Sequence, residues 1–99
     1  MERMKIVLSN KFLKSLDKLL NYLLPIWGNK VSQKSIKEID KHILLISTLP
    51  HIGLSSSKSK MVKSVLVSKH NRLYYKIEEQ CIVILDIKDT RINPSKNNY

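Results

Sequence analysis

The sequence predicts an α+β fold in the order β-α-α-β-β-β, with a helical hairpin packed on one face of an antiparallel sheet. Three observations predict it. Leucines and isoleucines recur at three-and-four spacing through residues 12–46, the mark of amphipathic helices. Beyond residue 61 the apolar spacing shortens to two, as strands require. Two short polar turns, Ser68-Lys69-His70-Asn71 and Glu79-Gln80, then join strands that must run antiparallel.

Met4 to Leu8, with β-branched Ile6 and Val7, reads as a first short strand able to join the sheet. Ser9 or Asn10 can cap the next element by accepting from a first-turn amide. The first helix presents Phe12, Leu13, Leu16, Leu19, Leu20, Leu23 and Leu24 as its apolar stripe, with Lys11, Lys14, Asp17, Lys18 and Asn21 opposite. Pro25 lacks an amide hydrogen and is expected to end or kink this helix near Asn21 to Leu24, with Gly28 and Asn29 making the break. A second helix fits Ser32 to Leu49, placing Ile36, Ile39, Ile43 and Ile46 on one side before Pro50 stops it. Residues 51–60 hold one glycine and a serine–lysine run and read as a flexible surface loop, too glycine-poor to cradle a phosphate.

Met61 to Ser68 alternates loosely, whereas Arg72 to Glu78 alternates clearly. Leu73, Tyr75 and Ile77 take one face of that strand, where the helices are expected to lie. Arg72, Tyr74 and Lys76 take the other, expected to be the uncovered side. Cys81 to Ile87 is apolar on both faces and suits a strand flanked on both edges.

The 99 residues suffice for one domain, 1–99, and not two, with a tail at 95–99 expected to fray. One cysteine, Cys81, rules out an internal disulfide framework and suits a reducing cytoplasm. The apolar runs are too short for a signal core or a bilayer span, so no membrane partner is expected. Eighteen Lys and Arg against eight Asp and Glu give a net charge of +10. No carboxylate occurs between Lys41 and Ile77, a block that holds Lys41, Lys58, Lys60, Lys63, Lys69, Arg72 and Lys76 with all three histidines. Such a block attracts polyanions or acidic proteins.

No cofactor or metal is expected. His42, His51, His70 and Cys81 lack ligand spacing, and no nucleophile elbow appears. The residues that point outward to a partner are Lys63, Arg72, Tyr74, Lys76, Arg91 and Asn93. Arginine offers a flat fork that fits phosphate or carboxylate oxygens two at a time, and a tyrosine between two such forks can hold an RNA backbone or an acidic protein segment. The competing reading gives each cation to solvent, or pairs Arg91 with Asp86 or Asp89.

The segments "YLLPIWG", "STLPHIG", "NRLYYKI" and "IKDTRINPSK", taken with the element order, resemble the RelE/ParE superfamily of bacterial toxins from about Ile6 to Lys96, and the ParE-like members more closely. The resemblance implies a cytoplasmic growth inhibitor, of the kind tied to plasmid stabilisation, neutralised by a cognate acidic antitoxin that alone would contact operator DNA. ParE-like members poison DNA gyrase; RelE-like members cut messenger RNA on the ribosome. The RelE-type cutting site resembles a basic cluster plus a tyrosine, onto which Lys63, Arg72 and Arg91 fall as catalytic candidates. Val65 stands where a second lysine belongs and Asn97 where the tyrosine belongs, with Tyr99 two residues late. The resemblance therefore implies a ParE-like, non-enzymatic gyrase inhibitor first, a messenger RNA endoribonuclease second, and a non-toxic basic nucleic-acid-binding module third.

Overall fold

The computed structural model describes residues 3–56 and 61–90. Its elements are β1 (Lys5–Leu8), α1 (Asn10–Thr48), a 3-10 turn (Pro50–Ile52), β2 (Leu54–Ser55), β3 (Val62–Ser68), β4 (Asn71–Ile77) and β5 (Cys81–Asp89). The sheet has five strands in the order β1-β5-β4-β3-β2. Strands β2 to β5 pair antiparallel with their neighbours, as the turn spacing requires. β1 instead pairs parallel with β5, Ile6 opposite Ile82 and Val7 opposite Val83, so the sheet is mixed and not purely antiparallel. A parallel pair needs a crossover, which the whole of α1 and the meander supply.

The helical region also departs from expectation. In place of a hairpin of two helices with a linker there is one helical element of 39 residues, and it passes through Pro25 without ending. Its only non-helical residue is Gly28, at φ 81 and ψ −177. That backbone region is open to glycine almost alone. A Cβ at Gly28 would meet nothing within 4 Å, so conformation and not space demands the glycine. Ser32 secures the bend by donating its hydroxyl to the Gly28 carbonyl at 3.1 Å. A straight helix of this length would measure about 58 Å, while the longest dimension of the molecule is 40 Å. The kink lets both arms reach the same sheet: Leu19 and Ile39 line one small cavity together with Val67 and Ile87.

The N-terminus of α1 is capped as its sequence suggests. Ser9 Oγ accepts from the Phe12 amide at 3.0 Å and donates to the Leu85 carbonyl at 2.9 Å, tying the cap to β5. The core lies between α1 and the sheet: Phe12, Ile39 and Ile46 pack on Val67, Leu73, Tyr75, Ile82, Ile84 and Ile87. Leu73 and Tyr75 face α1 as predicted, and Ile77 packs at their margin. The stretch 51–60, read as a loop, carries part of the 3-10 turn and β2 within its described portion.

Candidate functional site

The register of β3 against β4 decides which predicted residues share a face. Ser64 lies opposite Tyr74 and Leu66 opposite Arg72, while Lys63 lies opposite Tyr75 and Val65 opposite Leu73. Directly opposed residues in an antiparallel pair project to the same side. Arg72, Tyr74 and Lys76 therefore share the face away from α1, and Lys63 projects to the α1 side with the fully buried Tyr75. Grouping Lys63 with Arg72 is thus corrected. Val65 and Val67 point into the core, and counting back by two from them carries Lys63 to their side. Its Nζ donates to Ser55 Oγ at 3.3 Å across the β2 edge.

On the other face, Arg72 is half-buried and Nη1 donates to Ser64 Oγ at 2.9 Å. Lys76 lies 3.8 Å from Glu78 Oε1, both side chains well exposed, so the pair holds it only weakly. Tyr74 between them is only 7% exposed, which corrects the picture of a side left uncovered along its whole length. Lys88 of β5 stands opposite Arg72, placing two cations on neighbouring strands. Arg91 and Asn93, and with them the proposed second arginine fork, lie outside the described residues.

Asp86, weighed above as a partner of Arg91, is almost wholly buried. Its Oδ1 accepts from the Ile87 amide at 2.8 Å and its Oδ2 lies 3.7 Å from Lys11 Nζ in the first turn of α1. One residue of β5 is passed over between the Tyr74–Asp86 and Tyr75–Ile84 pairs, and this irregularity accompanies the reach of Asp86 towards α1. Asp86, Lys88 and Asp89 line a groove of about 500 Å³ with Lys18, Leu19 and Tyr22 of α1.

Two groups escaped the sequence reading. The Tyr75 hydroxyl donates to the Pro50 carbonyl at 2.6 Å and accepts from the Gly53 amide at 3.0 Å, clamping the turn after α1 onto the sheet. Burial pushes the Tyr75 phenol above its ordinary value of 10.0, and the Gly53 hydrogen bond offsets part of that rise. The signal was present in Pro50-His51-Ile52-Gly53, where a glycine ends a short turn, but its distant partner could not be read locally. Ser64, the acceptor for Arg72, gave no signal at all.

Among the described residues no group of three or more His, Cys, Asp or Glu could hold a metal ion. No helix among them is long and apolar enough to cross a membrane.

With this geometry in hand, the likenesses to known proteins fall into place. Residues 6–94 match the family described as the ParE toxin of the type II toxin–antitoxin system parDE. The chain belongs to the ParE toxin family. That family lies in the RelE/ParE superfamily, so this is a ParE-family toxin of a type II toxin–antitoxin system. Its fold is similar to that of a chain from the chromosomal ParDE system of P. aeruginosa, with a TM-score of 0.76, 15% identity, and 90% of this chain and 98% of that chain covered. It is also similar to the YoeB dimer chain from Staphylococcus aureus, with a TM-score of 0.63, 18% identity and 87% and 95% covered. A conserved hypothetical protein, HP0894 from Helicobacter pylori, follows with a TM-score of 0.55, 21% identity and 87% and 93% covered. At these identities the likenesses carry the fold alone. No curated protein matches the sequence.

Proposed function

We propose that this ParE-family chain arrests growth by binding a protein target, with DNA gyrase the leading candidate by family likeness, and that an acidic antitoxin neutralises it. The observation that carries the choice of binding over RNA cutting is the β3 register. The β3 side chains on the face of Arg72 are Val62, Ser64 and Leu66, none of which carries a charge at neutral pH. Lys63, the one cation of β3, projects to the opposite side. General acid–base cleavage of RNA needs a proton donor and a proton acceptor within hydrogen-bond reach of one phosphate. Lys63 and Arg72 cannot converge on one phosphate from the two sides of a sheet.

Binding asks less of the same residues. Arg72, Lys76 and the net charge of +10 suit a carboxylate-rich segment that orders as it docks. The P. aeruginosa relative comes from a ParDE system, which supports a cognate antitoxin as the natural partner here; operator DNA would be reached only through it. Expression of the chain alone should arrest growth, and co-expression of a cognate antitoxin should restore it. Purified chain should block gyrase supercoiling while leaving ribosome-bound messages intact. Mapped cuts in messages, with supercoiling unaffected, would replace this reading with the endoribonuclease one.

A further inference from the structure

The groove between the first arm of α1 and the end of β5 plays no part in the proposed function, yet it holds a buried charge that its neighbours serve poorly. Asp86 lines the groove and is 2% exposed. Its Oδ1 is taken by the Ile87 amide. Among the described residues the only ion-pair partner of Oδ2 is Lys11, at 3.7 Å and with its side chain half in water. That separation exceeds a hydrogen bond, and a solvated ammonium offsets little of what a carboxylate loses on leaving water. Asp86 therefore calls for a cation that brings donors into the groove.

Two observations name that cation. The first is the chemistry of the walls. Leu19, Tyr22 and Ile87 stand beside Asp86 and Asp89, so the groove offers apolar surface to a long stem and carboxylates to a charged head. The exposed Tyr22 ring suits a flat guanidinium. Lys18 and Lys88 also line the groove, but an acidic segment or a phosphate backbone would bring its charge against Asp86 and Asp89. The second observation is the path of the chain. Asp89 lines the groove, and the next amide, Thr90, donates to the His70 carbonyl at 2.6 Å, fixing where the chain leaves β5. Arg91 follows directly, at most about 3.6 Å further along the chain. The other two arginines are placed elsewhere: Arg72 is bonded to Ser64, and Arg3 adjoins Met4, whose amide is tied to Ser47 at the far end of α1. A tethered group acts at an effective concentration of about millimolar, an excess that a separate partner lacks.

We infer that residues 91–94 turn back from Thr90 into this groove, and that the Arg91 guanidinium is held there between Asp86 and Asp89. Arg91, which lies outside the described residues, is then a tie that fastens the end of β5 to α1 and not part of the surface offered to a target. Arg72 and Lys76 are left as the cations of that surface. The tie is independent of the gyrase reading and stands or falls by itself.

Stability measures the tie and cross-linking locates it, both on the full-length chain. Arg91→Gln and Asp86→Asn should each lower Tm by about 4–8 °C, and the double variant should fall no further than the less stable of the two, since either change breaks the same contact. That coupling should not vary with protein concentration. In a Cys81→Ser background, Tyr22→Cys paired with Ile92→Cys should be joined by a short bismaleimide, whereas Lys76→Cys paired with Ile92→Cys should not. Where a variant fails to fold, the cross-link decides alone. Additive losses of stability overturn the proposal, as does a link from Tyr22→Cys that forms no faster than one from Lys76→Cys. A coupling that appears only as protein concentration rises also overturns it, assigning the guanidinium to a second copy of the chain.

Discussion

Gly53→Ala probes the clamp that joins α1 to the sheet. The Gly53 backbone sits at φ −73 and ψ 159, which any residue adopts, so the substitution meets no conformational penalty. The obstacle is space. An added Cβ would lie 2.5 Å from the Tyr75 hydroxyl oxygen, 2.9 Å from Cε1 of the same ring and 3.0 Å from the Ser64 carbonyl oxygen. The Tyr75 ring cannot swing aside cheaply, because it is fully buried and its hydroxyl is bonded to Pro50. Overpacking of this kind costs about 1–3 kcal/mol, and the narrowing of the unfolded ensemble returns about 0.4–1 kcal/mol. The net is destabilising, and for a domain of this size each kcal/mol lowers Tm by about 4–8 °C. Tyr75→Phe alone should cost about 1–3 kcal/mol, since it strands the Gly53 amide and the Pro50 carbonyl. Combined, the two changes should cost less than their sum, because removing the hydroxyl abolishes the shortest contact. Thermal unfolding of the four proteins by circular dichroism measures the cycle. A Gly53→Ala chain as stable as wild type, or strict additivity, would refute the clamp.

Four further outcomes follow from the same geometry. Folded Tyr75 holds its proton more tightly than the unfolded chain, so its contribution is complete below the ordinary pKa of 10.0 and is lost as pH rises through the raised folded value; urea midpoints should fall above pH 10, less steeply in Tyr75→Phe. Gly28→Ala should destabilise by about 1–3 kcal/mol through backbone strain alone, measured as a lower urea midpoint, since its Cβ would meet nothing. Arg72→Ala should weaken antitoxin binding in calorimetry while Lys63→Ala leaves it within about twofold, because the two project from opposite sides of the sheet. Asp86→Ala should lower stability by about 1–3 kcal/mol, seen in thermal melts, by orphaning the Ile87 amide and parting Lys11 from its carboxylate.

What the sequence disclosed and what it concealed divide along a physical line. Features set by neighbours in the chain were legible. The Ser9 cap needs only an amide three residues on, and the alternation of Leu73 and Tyr75 needs only the pleat of one strand. Features set by distant segments were not. The parallel pairing of β1 with β5 joins residues far apart in sequence, and nothing in Lys5 to Leu8 encodes its direction. Pro25 was expected to end or kink the first helix near Asn21 to Leu24, yet α1 passes through it; the bend falls at Gly28, where the break was expected and where a backbone conformation reserved for glycine is required. Lys63 was misplaced because β3 is apolar on both faces: Val62 and Leu66 share one side, Val65 and Val67 the other, so its alternation gave no phase. Only pairing with the unambiguous β4 supplies that phase, and it moves the one lysine of β3 off the face that a cleavage site would occupy. The candidate site therefore turns on a register that neither charge nor family likeness could provide. With Lys63 on the α1 side, Arg72 and Lys76 remain as the cations of β4 on either side of the buried Tyr74, the arrangement on which the proposed binding role rests.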